Sequence, residues 1–211
     1  MSDGRADVLL ERAGTTYAQD AGITLRDKPA PLFQLLVLAL LLSARISSDI
    51  AVAGARELYR SGFRTARRAA EVSRADVIAA LGRGHYVRYD ESTATELADT
   101  VRLLLDRYRG DLRRLAEDAG YDASELRKRL QQFKGIGPTG ADIFLREVQA
   151  VWPRVGPYFD SKATDAARDL GLPADADKLA ALAPDGEAVR LAAALVRAGR
   201  DKDLAREVRG G

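Results

Sequence analysis

The chain has 211 residues, of which 46% are hydrophobic, so it can bury one or two compact cores and is too apolar for a disordered protein. It contains no cysteine and one histidine, which excludes disulfides, cysteine-held clusters and an ordinary zinc site. The formal net charge is only +2 and the isoelectric point is about 8.9, so binding to nucleic acid would require arginine and lysine to gather on one face.

The first half of the chain predicts a series of helices, the most apolar of which is 31–44. This segment is shorter than a membrane span and contains Gln34 and Ser43, so it predicts a helix buried on most sides at the centre of a bundle. The other helices predicted here are 8–20, 47–59 with Ser47 as the N-cap, 65–72, 74–81 with Ser73 as the N-cap, and 90–108.

The second half continues in the same way and shows almost no strand pattern. Its predicted helices are 111–117, 123–133, 139–151, 161–170, 175–182, 186–199 and 201–208. Together the two halves predict an all-α protein.

The stretch F-K-G-I-G-P-T-G-A joins two of these helices. Gly135 and Gly137 are expected to break the first helix and allow positive φ angles, and Pro138 suits the first turn of the second. The amides of Ile136, Gly137 and Thr139 would then lie at a helix N-terminus, where free N–H groups and the helix dipole attract a phosphate. A plain turn between packed helices is the alternative, but the Gly-x-Gly-Pro setting favours phosphate binding.

A loop rich in glycine and proline follows and leads to Asp160 at the start of the next predicted helix. Asp160 is a good N-cap in that position. The stiff approach through Pro153, Gly156 and Pro157 would be unnecessary for a cap alone. A fixed carboxylate close to a phosphate-binding turn therefore suggests chemistry beside a DNA backbone.

These features resemble the helix-hairpin-helix DNA glycosylases of the endonuclease III type. The matching motifs are L-L-S-A-R ending at Arg45, G-H-Y around His85, K-G-I-G-P-T-G-A from Lys134, and D-S-K from Asp160. The resemblance implies two helical subdomains that flank a DNA-binding cleft.

In that arrangement 31–151 is the central helical bundle and ends in the helix-hairpin-helix motif. Residues 1–30 and 152–211 form the second subdomain, which carries Asp160.

The function implied is a DNA glycosylase of base excision repair, which flips a damaged or mispaired base and hydrolyses its N-glycosidic bond. Asp160 would stabilise the positive charge on the sugar and orient or deprotonate the attacking water. Relatives with lyase activity carry a lysine where this chain has Thr139, so we expect a monofunctional enzyme. The Thr139 hydroxyl could order a water. A non-catalytic helix-hairpin-helix DNA-binding protein is the alternative.

The resemblance also assigns the other site residues. The expected DNA contacts are Lys134, Gly135, Ile136, Gly137, Thr139, Lys162, Arg45 and His85. Arg45 stands where relatives have a glutamine that fills the gap left by the flipped base. His85, expected on a mobile loop, could wedge into the duplex or be an ordinary surface residue. Tyr86, Tyr158 and Phe159 are expected to wall the base pocket, although buried aromatic residues are more often plain core.

No iron–sulfur cluster is expected, because relatives hold it with cysteines and this chain has none. A monovalent cation at the hairpin is compatible with the resemblance. The expected partner is double-stranded DNA with a lesion or a mismatch. The polar N-terminus shows no signal peptide, so we expect a cytoplasmic monomer without membrane contact, associated with the nucleoid if bacterial.

Overall fold

The protein is helical throughout residues 4–184 and 186–210, which are the residues described by its computed structural model. The helices are α1 (Gly4–Ala13), α2 (Tyr17–Asp20), α3 (Pro29–Ser43), α4 (Ser48–Arg60), α5 (Ala66–Ala69), α6 (Arg74–Arg83), α7 (Asp90–Tyr108), α8 (Leu112–Asp118), α9 (Ala123–Leu130), α10 (Pro138–Val148), α11 (Ser161–Asp169), α12 (Ala176–Ala180), α13 (Ala188–Ala198) and α14 (Lys202–Gly210). Those residues include no strand, so the predicted all-α class is confirmed. None of the helices described has the length and hydropathy that a membrane crossing requires.

The helix α3 lies at the centre of the fold, as predicted. Its side chains from Leu35 to Leu41 are almost fully buried, because the helix is apolar on every side and needs neighbours all round. It packs against α4, α8 and α10. Burial of each large side chain contributes about 1.5–3 kcal/mol before the entropy of ordering is counted.

Two hydrophobic cores organise the chain. The first surrounds α3 and includes residues from α2 to α10, and the second is formed mainly by α1, α11, α13 and α14. Contacts of α13 with both α1 and α10 join the two. Tyr17 and Ile23 pack into the first core, although the sequence assigned 1–30 to the second subdomain.

The segment predicted as one helix over 8–20 is two helices, α1 and α2. Thr16 caps α2: its Oγ1 accepts the Gln19 N–H at 3.2 Å, while Gln19 Oε1 accepts the Thr16 N–H at 2.9 Å. This reciprocal capping box begins a new helix, so the prediction of a single helix is wrong.

The predicted caps of α4 and α6 are confirmed. Ser47 Oγ accepts an amide of α4 at 3.3 Å, and Ser73 Oγ accepts an amide of α6 at 3.1 Å. The helices α5, α9 and α10 each end three residues before the predicted boundary. Their last predicted turns are closed by tighter bonds between residues three apart, for example from the Val151 N–H to the Val148 carbonyl at 2.9 Å.

Candidate functional site

The hairpin, which is the turn between α9 and α10, holds its two glycines in different conformations. Gly135 has a φ of +85°, in the left-handed region that favours glycine. Gly137 is extended, with φ −87° and ψ −172°, so it does not use the positive φ that glycine allows. A Cβ on Gly137 would meet nothing within 4 Å. This glycine therefore faces open space just before Pro138, the first residue of α10.

Two of the three predicted phosphate-binding amides are available in the hairpin. The Gly137 and Thr139 N–H groups have no hydrogen-bond partner among the described residues, and they lie at the positive end of α10. The Ile136 N–H instead donates to the Phe133 carbonyl at 2.9 Å, and the Ile136 side chain is buried. The prediction that Ile136 offers its amide to a phosphate is therefore wrong.

A third glycine, Gly140, lets α10 lie close against the end of α3. A Cβ there would lie 2.3 Å from Ser43 Oγ. Ser43 is the last residue of α3, and Arg45 follows shortly after it. The close packing at Gly140 therefore brings the hairpin helix beside Arg45.

A cleft lies between the hairpin, the end of α3 and the start of α11. One cavity of about 550 Å³ is bordered by Arg45, Thr139, Lys162 and Arg200. A smaller cavity of about 170 Å³ shares Thr139, Lys162 and Arg200 with it and adds Asp160. Because the two cavities share these side chains, they adjoin each other, and together, as the cleft, they bring the predicted residues Arg45, Thr139, Asp160 and Lys162 close to one another.

The cleft is positively charged at its mouth. Arg45, Lys162 and Arg200 are exposed, and none of them forms an ion pair with another described residue. Arg200 was not predicted from the sequence, because it follows α13 and nothing in its local sequence marks it. The three charges can attract an anionic ligand such as a phosphodiester backbone.

Asp160 is held by two donors. Its Oδ1 accepts the Ala163 N–H at 2.9 Å, which confirms the predicted N-cap of α11. Its Oδ2 accepts a hydrogen bond from Nη1 of Arg146 on α10. The side chains of Arg146 and Asp160 are 1% and 3% exposed, so this is a buried ion pair. Arg146 also borders the small cavity, and its buried Nε has no partner among the described residues.

The ion pair was not predicted, although a signal for it exists. Arg146 and Glu147 interrupt the apolar run of α10, and charged residues at buried positions require partners. Glu147 accepts the N–H groups of Tyr17 at 3.2 Å and Ala18 at 3.0 Å, at the start of α2. Burial raises the pKa of Glu147, while these amides and the neighbouring arginine oppose the shift.

Two of the predicted base-pocket residues lie beside the cleft and do not border its two cavities. The Tyr158 hydroxyl donates to Asp142 Oδ1 at 2.7 Å, and Asp142 also accepts from Arg127 Nε at 2.6 Å. Burial and the bond to Asp142 raise the pKa of Tyr158. Phe159 packs into the second core at 9% exposure.

The third of these residues, Tyr86, borders a separate cavity of about 300 Å³ next to the cleft. Arg45, Glu96 and Gly135 also border it. Tyr86 is 1% exposed, and its hydroxyl is 3.2 Å from Thr93 Oγ1. Of the three aromatic residues expected around a base, Tyr86 is thus the one that borders a cavity adjoining Arg45.

Acidic side chains flank the hairpin. Lys134 Nζ lies 3.1 Å from Asp99 Oδ2 on α7, so part of its charge is already compensated. Burial raises the pKa of Glu96, and the charge of Lys134 opposes the shift. A Cβ on Gly135 would lie 2.6 Å from Glu96 Oε2, so this carboxyl group packs against the turn.

His85 is exposed and has a φ of +60°. Its N–H donates to the Gly82 carbonyl and the Tyr86 N–H donates to the Leu81 carbonyl, each at 2.9 Å, which is the Schellman pattern at the end of α6. A Cβ on Gly84 would lie 2.5 Å from the backbone of α4. The turn is therefore held by packing against α4 and by hydrogen bonds.

An iron–sulfur cluster does not fit this chain, because it has no cysteine to supply thiolate ligands. Within residues 4–184 and 186–210, no three histidine or acidic side chains gather in a way that could hold a metal ion.

The fold is similar to that of two solved structures. A non-covalent complex of endonuclease III with DNA matches with a TM-score of 0.54 at 16% identity, over 90% of this chain and 80% of the other. A trapped covalent intermediate of endonuclease III with DNA, an estranged-adenine complex, matches with a TM-score of 0.50 at 15% identity, over 93% and 85%. No family model and no curated protein matches the sequence. The chain therefore has an endonuclease III-like fold, as the resemblance predicted.

Proposed function

We propose that this protein is a DNA glycosylase that flips a damaged or mispaired base and hydrolyses its N-glycosidic bond without a lyase step. The observation that supports this most directly is the cleft in which a buried carboxylate, Asp160, lies close to a helix N-terminus and to exposed cations. The similar structures of endonuclease III contain DNA, which supports DNA as the ligand here.

The cleft mouth has the groups needed to grip a DNA backbone. The unpaired amides of Gly137 and Thr139 can each donate to a phosphate oxygen, and the helix dipole of α10 favours that negative charge. Arg45, Lys162 and Arg200 add positive charge around it. Such contacts position the duplex without reading its sequence. Holding the backbone on both sides of one nucleotide would help to offset the few kcal/mol that extrusion of its base costs.

The proposed chemistry uses the charge of Asp160. As the bond between the sugar C1′ and the base breaks, the base leaves with the electron pair and positive charge develops on the sugar. A buried carboxylate stabilises that charge strongly, because little water is present to screen it. Water then bonds to C1′, and its proton passes through solvent to the departing base. The Thr139 hydroxyl borders the same small cavity as Asp160 and is proposed to order this water.

We assign no amine nucleophile to the site. Lys134 is engaged by Asp99, and Lys162 is an exposed side chain at the cleft mouth that we assign to phosphate contact. Hydrolysis without strand cleavage follows from this assignment.

A panel of duplexes with single lesions tests the proposal, with an alkylated purine, uracil, a thymine mispair and an oxidised base each in turn. Each product is examined for strand breaks before and after alkali. Breaks that appear only after alkali are expected for at least one lesion. Breaks without alkali would contradict the hydrolytic assignment. If no duplex breaks even after alkali, glycosylase activity is contradicted.

One observation favours a second candidate, a non-catalytic helix-hairpin-helix DNA-binding protein. Both oxygens of Asp160 already accept hydrogen bonds within the protein. Tight binding to duplex DNA without excision of any lesion would establish this alternative.

A further inference from the structure

The ion pair between Arg146 and Asp160 is a poor device for stability alone. Two charges have been removed from water, and the Arg146 Nε remains buried without an acceptor among the described residues. An orphaned buried donor is destabilising, and apolar residues of similar volume commonly hold two helices together as well as a buried ion pair does. The pair is therefore better explained by what it does to Asp160.

Arg146 is the charged partner that the buried position of Asp160 requires. At 3% exposure the Asp160 side chain has almost no contact with solvent, and a charge removed from water is costly unless it is paired and hydrogen-bonded. Among residues 4–184 and 186–210, the only other donor to its side chain is the Ala163 N–H of the cap. Within the same part of the chain, Arg146 supplies the one full positive charge in hydrogen-bonding contact with the carboxylate.

The two donors also fix the orientation of the carboxylate. The cap holds Oδ1 and Arg146 holds Oδ2, so the group cannot rotate about its terminal bond without losing one of them. With both oxygens engaged, Asp160 is a weak candidate for taking a proton from water. It is well suited to act through its fixed negative charge.

We infer that Arg146 is a positioning residue for the reaction: it pairs with the buried Asp160 and holds its carboxylate in the orientation from which the negative charge stabilises the sugar cation. This inference rests on the proposed glycosylase function. Arg146 acts through Asp160, whereas the cleft residues Lys162 and Arg200 act on the DNA itself.

The test compares Arg146→Lys, Arg146→Gln, Asp160→Asn and the double variant Arg146→Gln/Asp160→Asn. Lysine keeps the charge, and glutamine keeps a donor for Asp160 but removes the charge. Single-turnover excision and the dissociation constant are measured on one lesion duplex for each protein, and circular dichroism verifies folding.

Arg146→Gln is expected to lose about 10²-fold in excision rate, the effect of removing one electrostatic group from a reaction site. Its dissociation constant should change less than threefold, and Arg146→Lys should remain within about tenfold of the wild-type rate. Because Arg146 acts through Asp160, adding Arg146→Gln to Asp160→Asn should cause no further loss.

Excision by Arg146→Gln at the wild-type rate would overturn the inference, and so would losses that multiply in the double variant. If Arg146→Gln alone does not fold, Asp160→Asn is compared with the double variant, which lacks both charges. Equal excision rates of these two proteins support the inference, and a slower double variant overturns it. Absence of excision by the wild type on every lesion would overturn the proposed function and this inference with it. An active wild type with an active Arg146→Gln would overturn the inference alone.

Discussion

Substitution of Gly140 by alanine tests the packing that brings the hairpin beside α3. The new Cβ would lie 2.3 Å from Ser43 Oγ, which no real structure tolerates, so one of the two groups must move. Ser43 Oγ donates to the Ala39 carbonyl at 2.7 Å, and rotating it away would forfeit that bond, at about 0.5–1.5 kcal/mol. Shifting α10 instead would cost about 1–3 kcal/mol, as overpacked cores do. Alanine recovers up to about 1 kcal/mol of helix propensity. We therefore expect Gly140→Ala to lower the free energy of unfolding by about 1 kcal/mol.

Urea unfolding of a double-mutant cycle with Ser43→Ala provides the measurement. Without the serine hydroxyl the clash is gone, so Gly140→Ala should be neutral or stabilising by up to about 1 kcal/mol in that background. The interaction energy between the two positions should then be about 1–2 kcal/mol. Equal destabilisation by Gly140→Ala with Ser43 present and with Ser43→Ala would refute this account of the packing at Gly140.

Three further predictions concern the cleft and the core. Gly137→Asp should weaken binding to all DNA sequences alike, by about tenfold, because it places a negative charge where a phosphate is proposed to bind. Unchanged affinity in a folded variant would show that the hairpin is not part of the DNA interface. Arg45→Ala and His85→Ala should slow excision from duplexes more than from single strands, which have no partner base to support; equal losses in parallel turnover assays would indicate general charge or folding effects. Glu147→Gln should gain stability relative to the wild type as the pH rises above 4.5. The pKa of Glu147 is raised in the folded state, so its favourable contribution is complete at low pH and is lost with increasing pH, by up to about 1.4 kcal/mol per pH unit. The free energies of unfolding of Glu147→Gln and the wild type are measured in urea as a function of pH. If the two change with pH in parallel, the prediction for Glu147 is contradicted.

Local chemistry made much of the fold predictable. The caps at Ser47, Ser73 and Asp160 depend on a side chain and an amide a few residues apart, and all three are present in the structure. The apolar character of α3 likewise required a central position. The break at Thr16 is equally local, because the capping box that begins α2 is formed by Thr16 and Gln19.

The site features that the sequence did not reveal depend on contacts between residues distant in sequence. Arg146 lies on α10 and Asp160 at the start of α11, so their pairing depends on how the two helices pack. The hydroxyl of Tyr158, a residue predicted to wall the base pocket, donates to Asp142 on α10. Arg200 borders the cleft only because α13 ends there. Such packing has no signature in the spacing of the sequence.

We propose that excision depends on the negative charge of Asp160. Asparagine retains the shape and much of the capping ability of aspartate but has no charge. It also leaves Arg146 without a counter-charge, so its fold and its dissociation constant for lesion DNA are measured with its rate. The decisive measurement is the single-turnover excision rate of Asp160→Asn on a lesion that the wild type excises. A folded variant that binds as tightly as the wild type and excises at least about 10²-fold more slowly is expected. Excision at the wild-type rate would contradict the catalytic role of Asp160.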